Sequence, residues 1–291
     1  MSKTVVFFGS GPVAAESLRS LAANFSIEAV VTKAVPAHHK GIAPVETLAH
    51  ELGLKLLFAS TKNELDDLMS NQSLTSPVGI VVDYGVIISQ KVIDSFPYGI
   101  INSHFSLLPQ WRGADPITFS ILSGQEKTGV SLMVIDAGLD TGKLITQKIL
   151  HIAPDDTTPS LTEKLIALSN DLFNEYLPCY LNDEITLKNQ PHPDRVTFSR
   201  KLTKDDSILD WSKPADMLEC EVRAYIGWPK SRATILDQTV IVTKSHVSDT
   251  KTTALDIECG DGKFLSIDEL IGPSGRKMDA RGFLNGYAAG A

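Results

Sequence analysis

Four apolar runs set the limits on what this chain can fold into. Thr4-Val-Val-Phe-Phe8 and residues 27–32, 78–82 and 99–102 are short, rich in β-branched or aromatic side chains, and largely free of polar alternation. A strand with one wet face alternates polar and apolar residues with period two, so runs of this kind are buried on both faces. Between them lie segments with helical spacing at residues 13–23, 44–52 and 64–69, and a further strand-like run at 54–58. Short buried strands alternating with helices predict an α/β domain with a Rossmann-like parallel sheet. Residues 130–135 and 143–149 add two strand candidates around a turn at 136–142, and Thr157-Thr-Pro-Ser160 is a start signal for a long helix over 158–181.

From about Asn189 the texture changes. Gln190-Pro-His-Pro-Asp194 reads as a linker, residues 202–225 contain a helical pattern, and residues 233–247 and 255–267 look like short antiparallel strands. The expected organisation is therefore a domain over residues 1–188, a linker over 189–204 and a smaller, mainly β domain over 205–291. Trp211 and Trp228-Pro229 are expected in the core of that second domain.

Composition narrows the function classes. A hydrophobic content of 43% with 21% charged residues is that of an ordinary globular protein. No stretch approaches the roughly 18 uninterrupted apolar residues that span a bilayer, so no membrane association is expected. The N-terminal apolar run is too short for a signal peptide. Cys179, Cys220 and Cys259 form neither a disulfide framework nor a metal-ligand spacing, which points to a reducing cytoplasm and to no metal site. His38-His39-Lys40 lacks partners at ligand spacing and reads as a polar loop. The net charge of −8, with neither half of the chain basic, excludes indiscriminate nucleic-acid binding and leaves only a local patch for an RNA partner.

The chemistry concentrates in Ile100-Ile-Asn-Ser-His-Phe-Ser-Leu-Leu-Pro-Gln-Trp-Arg-Gly-Ala114 and Asp136-Ala-Gly-Leu-Asp-Thr-Gly142. Asn102 and His104 fall on one side of an extended segment, and His104 is expected just past the end of a strand, where open α/β sheets bind ligands. An amide, an imidazole and the later carboxylate of Asp140 can together take a proton from an amine and hold the charge that builds on an attacked carbonyl oxygen. Asp140 reads equally as a turn residue making an Asx bond. Trp111-Arg112-Gly113 reads as a surface loop or as a pair of binding anchors. Gly9-Ser-Gly-Pro12 lacks a third glycine and a following Lys-Ser/Thr, so a tight strand-to-helix turn is a better reading than a phosphate cradle.

These motifs together resemble the 10-formyltetrahydrofolate-dependent formyltransferases. Asn102-x-His104, Ser106-Leu-Leu-Pro109 and Asp140 match the family's catalytic and folate-site pattern, and Leu-Leu-Pro-x-Trp-Arg-Gly-Ala is most similar to the branch acting on methionyl-tRNA. The likeness continues through Thr197-Phe-Ser-Arg-Lys-Leu-x5-Ile-Leu-Asp-Trp211, Arg223-Ala-Tyr-Ile-Gly-Trp-Pro229 and Gly275-Arg-Lys-Met278. It implies a formyltransferase domain followed by an OB-like one, and transfer of a formyl group from 10-formyltetrahydrofolate to the amino group of initiator methionyl-tRNA by a monomer. Asn102, His104 and Asp140 would be catalytic. The folate would lie along Ser106, Leu107, Leu108 and Pro109, with the pterin toward Tyr84, Gly85, Val86, Ile88, Asp136 and Gly138 and its contacts largely to backbone. Lys201, Lys204, Arg223, Lys230 and Arg232 are the expected tRNA contacts. One departure stands out: the family's first loop is rich in Arg, Gly and Lys, whereas Lys33-Ala-Val-Pro-Ala-His-His-Lys-Gly-Ile42 has no Arg. A sugar-nucleotide N-formyltransferase, a formyltetrahydrofolate hydrolase and a non-enzymatic α/β binding module are the competing readings. The last leaves the Asn/His/Asp trio without a purpose.

Overall fold

The computed structural model describes residues 4–35 and 43–287. The histidine pair at 38 and 39 and most of the Arg-free loop lie outside them. The chain divides into two compact units: one built from the residues up to Ala114 with Thr128–Leu150 and Thr162–Phe198, the other from Asp115–Lys127, His151–Leu161 and the residues from Ser199 on.

In the first unit the elements run β1 (Thr4–Phe8), α1 (Pro12–Ala22), β2 (Ser26–Thr32), α2 (Pro44–Glu51), β3 (Leu56–Phe58), α3 (Lys62–Asn71), β4 (Val78–Val81), α4 (Gln90–Ile93), β5 (Ile100–His104) and β6 (Arg112–Gly113). After α5 (Pro116–Leu122), which belongs to the second unit, come β7 (Lys127–Val134), β8 (Lys143–His151) and the long α6 (Thr158–Leu181). The main sheet has seven strands in the order β3-β2-β1-β4-β5-β7-β8. The first five are parallel, as the unalternating runs require, and Val5 to Phe8 of β1 are completely buried. Burying side chains of this size stabilises by roughly 1.5–3 kcal/mol each.

Strand β7 breaks the parallel pattern by pairing antiparallel with β5, Asn102 opposite Met133 and His104 opposite Ser131. The 136–142 loop therefore leaves the sheet beside Ile101 and turns back over it. Its closing glycine is obligatory, because a Cβ on Gly142 would drive into the Val134 carbonyl oxygen.

The Gly9-Ser-Gly-Pro12 segment is a tight turn. Gly9 N donates to Val31 O, Ser10 N to Asp83 O, and Pro12 opens α1. The Asp83 carboxylate occupies the space beside Gly11, which opposes an anion there.

The second unit carries β9 (Phe198–Ser199, its first residue counted with the first unit), α7 (Ala215–Ala224), β10 (Ser231–Ile235), β11 (Gln238–Ser248), β12 (Asp256–Glu258), β13 (Phe264–Ile271), β14 (Lys277–Asp279) and α8 (Ala280–Tyr287). It is mainly β: a five-stranded sheet ordered β10-β11-β13-β12 with β14 beside β13, in which β13 pairs antiparallel with β11, β12 and β14, and β10 pairs antiparallel with β11. Leu218, Val222, Val240, Leu265, Leu270 and Phe283 are at the centre of its core. The helical pattern expected over 202–225 forms only from Ala215, because Asp210 holds Ser212 in a turn and Pro214 sits at the cap. Trp211 packs on this core, but Trp228 is 53% exposed, contrary to expectation.

Replacing Gly142 with Ala tests the hairpin return. The substitution should lower the stability of the first unit by about 1–3 kcal/mol, the usual cost of overpacking, read as a lower urea midpoint. An unchanged midpoint would mean that the loop has room to shift.

Candidate active site

β5 carries the polar residues of the site within the strand. Asn102 and His104 share one face, while Ser103 points to the other and meets Ser169 Oγ of α6 at 2.6 Å. His104 is the last residue of β5, so the expected position just past the strand moves inward by one pleat.

The imidazole is 5% exposed, and its Nε2 lies 2.9 Å from the Trp111 carbonyl oxygen. A carbonyl only accepts, so this partner assigns the proton to Nε2 and leaves the Nδ1 lone pair open. Nδ1 is 3.8 Å from Asp140 Oδ2, beyond a hydrogen bond but well inside Coulombic range.

Asp140 has a left-handed backbone, φ 51°, unusual for a residue with a side chain. Its Oδ2 accepts 2.8 Å from Gly113 N, and its Oδ1 lies 3.4 Å from Asn102 Nδ2. That amide bond is long and weak, leaving an N–H that an oxygen atom of a bound substrate can capture. Of the two sequence readings of Asp140, the Asx turn belongs to another residue: Asp136 Oδ1 accepts from Gly138 N at 3.0 Å and from Thr141 Oγ1 at 2.6 Å. Asn102, His104 and Asp140, separated by up to 38 residues, converge.

Burial is the largest influence on His104 and pushes its pKa below the usual imidazole value. The Asp140 carboxylate and the Trp111 carbonyl act in the opposite direction, and the Arg112 guanidinium adds to the lowering. At neutral pH the ring is a neutral base beside a carboxylate.

The expected folate residues divide into two groups. Ser106, Leu108 and Pro109 are buried, Leu107 is partly so, and their side chains build the protein. Ser106 Oγ donates to Gln110 O at 2.5 Å, Leu108 packs with Met133 and Leu144, and Leu107 lies against Gly129. Tyr84 is also a core residue, its hydroxyl donating to Ala59 O at 2.7 Å and its own carbonyl accepting from Ser10 Oγ. The carbonyl oxygens of all five accept hydrogen bonds from within the protein: Ser106 from Ser131, Leu107 from Gln110, Leu108 from Gln147, Pro109 from Thr197 and Tyr84 from Ser10. Val86 and Ile88 are partly buried against the core, whereas Gly85, Asp136 and Gly138 are exposed. Ile87 and Leu139, within the stretches 84–88 and 136–140 expected on the pterin side, are 77% and 60% exposed.

Gln190 and Thr197, read as linker, were missed. Gln190 bonds to the Asp140 loop and to Arg112, while Thr197 Oγ1 accepts from Trp111 N at 2.8 Å. Neither has a local signal, because the partners of these side chains lie 48 to 86 residues away.

Of the five expected tRNA contacts, Lys201, Lys204, Lys230 and Arg232 are exposed. Arg223 is not available: its Nε lies 2.6 Å from Glu219 Oε1 and its Nη1 donates to Asp156 O at 2.9 Å. Among the described residues no cluster of three His, Cys, Asp or Glu is placed to hold a metal, and no helix is long and apolar enough to cross a membrane.

Residues 3–177 match the profile of the formyl transferase family, and residues 201–288 match that of the formyl transferase C-terminal domain. The chain belongs to the formyl transferase family. Within this family it is 34% identical to the methionyl-tRNA formyltransferase of Roseiflexus castenholzii, over 95% of this chain and 93% of that one. The corresponding protein of Methylococcus capsulatus is also 34% identical, over 98% and 97%. Among solved structures, the N-formyltransferase from Helicobacter canadensis, in complex with folinic acid and dTDP-3-aminofucose, shares the formyl transferase fold. Its TM-score is 0.69 at 20% identity, over 92% of this chain and 99% of that chain.

A neutral buried His104 has a stability signature. Its folded pKa lies below the unfolded value of about 6.5, so the unfolded state binds the proton first and stability falls as pH drops through that value. The stability difference between wild type and His104→Asn should therefore shift against wild type as urea unfolding is moved from about pH 7.5 to pH 5.5. A difference independent of pH would show that His104 is not held neutral.

Proposed function

We propose that this chain transfers the formyl group of 10-formyltetrahydrofolate to the amino group of initiator methionyl-tRNA, with Asn102, His104 and Asp140 as its catalytic residues. The observation that carries the reading is the convergence of these three side chains on one sheet face, with the imidazole tautomer fixed by Trp111.

The α-amino group of an aminoacyl ester arrives largely protonated, since free α-amino groups titrate near about 7.7–8.0. The ammonium gives a proton to His104 Nδ1, directly or through water, and the Asp140 carboxylate stabilises the imidazolium. The free amine attacks the formyl carbon, the new C–N bond forms, and the carbonyl electron pair moves to oxygen. Asn102 Nδ2–H and the imidazolium stabilise that oxyanion, one such donor contributing roughly 3–4 kcal/mol at the transition state. The new C–N nitrogen then releases its second proton to solvent water. Collapse re-forms the carbonyl and breaks the bond to the folate nitrogen, which takes the proton from His104, so that the formamide and the folate nitrogen both leave neutral. Neither a metal nor a covalent enzyme intermediate is required.

In this reading residues 1–188 bind folate and perform the chemistry, 189–204 link, and residues 205–291 dock the tRNA with Lys230 and Arg232. Lys201 and Lys204 add to that surface from the linker. The protein works as a monomer in the cytoplasm. The folate runs along the backbone of Tyr84, Gly85, Val86 and Ile88, of Ser106 to Pro109, and of Asp136 and Gly138. The alternative acceptor, an amino-sugar nucleotide, is favoured only by fold neighbours, whereas the curated relatives that are 34% identical support methionyl-tRNA.

Single-turnover assays with 10-formyltetrahydrofolate, offering charged initiator tRNA or an amino-sugar nucleotide, decide the acceptor. Formyl transfer to the tRNA should dominate, and Asn102→Ala and His104→Ala should each reduce its rate by at least about 10²-fold with the fold retained. A preference for the sugar nucleotide would overturn the tRNA assignment. Near-wild-type rates in both variants would overturn the catalytic one.

A further inference from the structure

We propose that Gln190 is a positioning residue of the formyl-transfer site, acting through Asp140; this rests on the catalytic reading of Asp140 given above. Its carboxamide makes three hydrogen bonds inside the first unit. Nε2 donates to Asp140 O at 2.7 Å and to Gly142 O at 3.0 Å, and Oε1 accepts from Arg112 Nη2 at 2.6 Å. The orientation of the amide is fixed by chemistry, since two carbonyl oxygens demand the NH2 and a guanidinium demands the oxygen.

This pattern answers a specific need. Asp140 sits at φ 51°, a left-handed conformation that a side-chain-bearing residue keeps only when its surroundings over-determine it. Gln190 ties the Asp140 carbonyl to that of Gly142, two residues further on, and so fixes the course of the chain as it leaves Asp140. With the same side chain it tethers Arg112, whose neighbour Gly113 donates its N–H to the Asp140 carboxylate. Backbone and carboxylate of Asp140 are thus referred to one frame. The segment itself is anchored: Lys188 and Leu144 exchange both backbone hydrogen bonds, and Thr197 N donates to Pro109 O while Arg112 N donates to Thr197 O. A stretch with linker composition serves as the brace that sets the distance between Asp140 and His104.

The test uses the full-length enzyme and the variants Gln190→Ala and Gln190→Glu. The second keeps the length and an acceptor for Arg112 but replaces the donor with a carboxylate facing two carbonyls. Both should lower kcat by about 10- to 100-fold, the scale expected for a misplaced catalytic group, with the acceptor KM changed by less than about twofold. Q190E should keep a thermal midpoint close to that of wild type. Adding Q190A to Asp140→Asn should cost less than about a further twofold, because there is then no carboxylate to position. Effects that multiply in the double variant, or wild-type kcat in Q190E, would overturn the proposal. The proton titration of the His104 ring by NMR supplies a readout independent of the reaction. The charged groups facing His104 are Asp140 and Arg112. Loosening Asp140 should move the His104 titration to lower pH in Q190A, and an unmoved titration would overturn the positioning role. If wild type formylated no methionyl-tRNA, the proposed function would fail while this titration still decided the role of Gln190.

Discussion

The hydrogen bond from His104 Nε2–H to the Trp111 carbonyl is the contact on which the rest of the site depends. It consumes one ring nitrogen as a donor and so turns the other toward Asp140 as a base. With the opposite tautomer, the buried ring would place a proton between itself and the carboxylate and leave the Trp111 carbonyl without its donor. The bond requires an unusual backbone: Trp111 has φ 55°, and Asp140 has φ 51°. Two side-chain-bearing residues in the left-handed region within one site represent strain that the fold must offset. It does so with tertiary hydrogen bonds, Thr197 against Trp111 and Gln190 against Asp140.

The sheet explains why these groups can meet. β5 lies between parallel β4 and antiparallel β7, so its backbone is fixed from both sides and its side chains have little freedom. The antiparallel partner returns the 136–142 loop over β5, which a continued parallel sheet would not do. Burial then tunes the chemistry. The same exclusion of water that lowers the His104 pKa strengthens the interaction of its protonated form with Asp140. In the proposed reaction, a group in this setting is neutral when the amine arrives and is supported once it has taken the proton.

Much of this was legible in the sequence, and the reasons are physical. Buried parallel strands lack alternation, so β1, β2, β4 and β5 announce themselves, and Thr157-Thr-Pro-Ser160 marks the start of α6 at Thr158. Period-two geometry placed Asn102 and His104 on one face. What the sequence could not show were contacts between distant residues and the direction of individual side chains. Arg223 looks like a docking cation but is held by Glu219, and Trp228 looks like core but is exposed. Gln190 carried no local signature at all, because a flexible composition and a structural brace are compatible when the partners lie far along the chain.

In the proposed reaction Asp140 acts as a charge beside His104. The pH dependence of single-turnover formyl transfer by Asp140→Asn separates that role from a turn role, since the variant keeps the shape and removes the charge. The rate should fall by about 10²-fold or more, the scale of a lost transition-state partner. The acid limb should also move to lower pH, because the carboxylate that raises the His104 pKa is gone. A variant with the full wild-type rate and an unchanged profile would contradict the charge role and leave Asp140 as a turn residue.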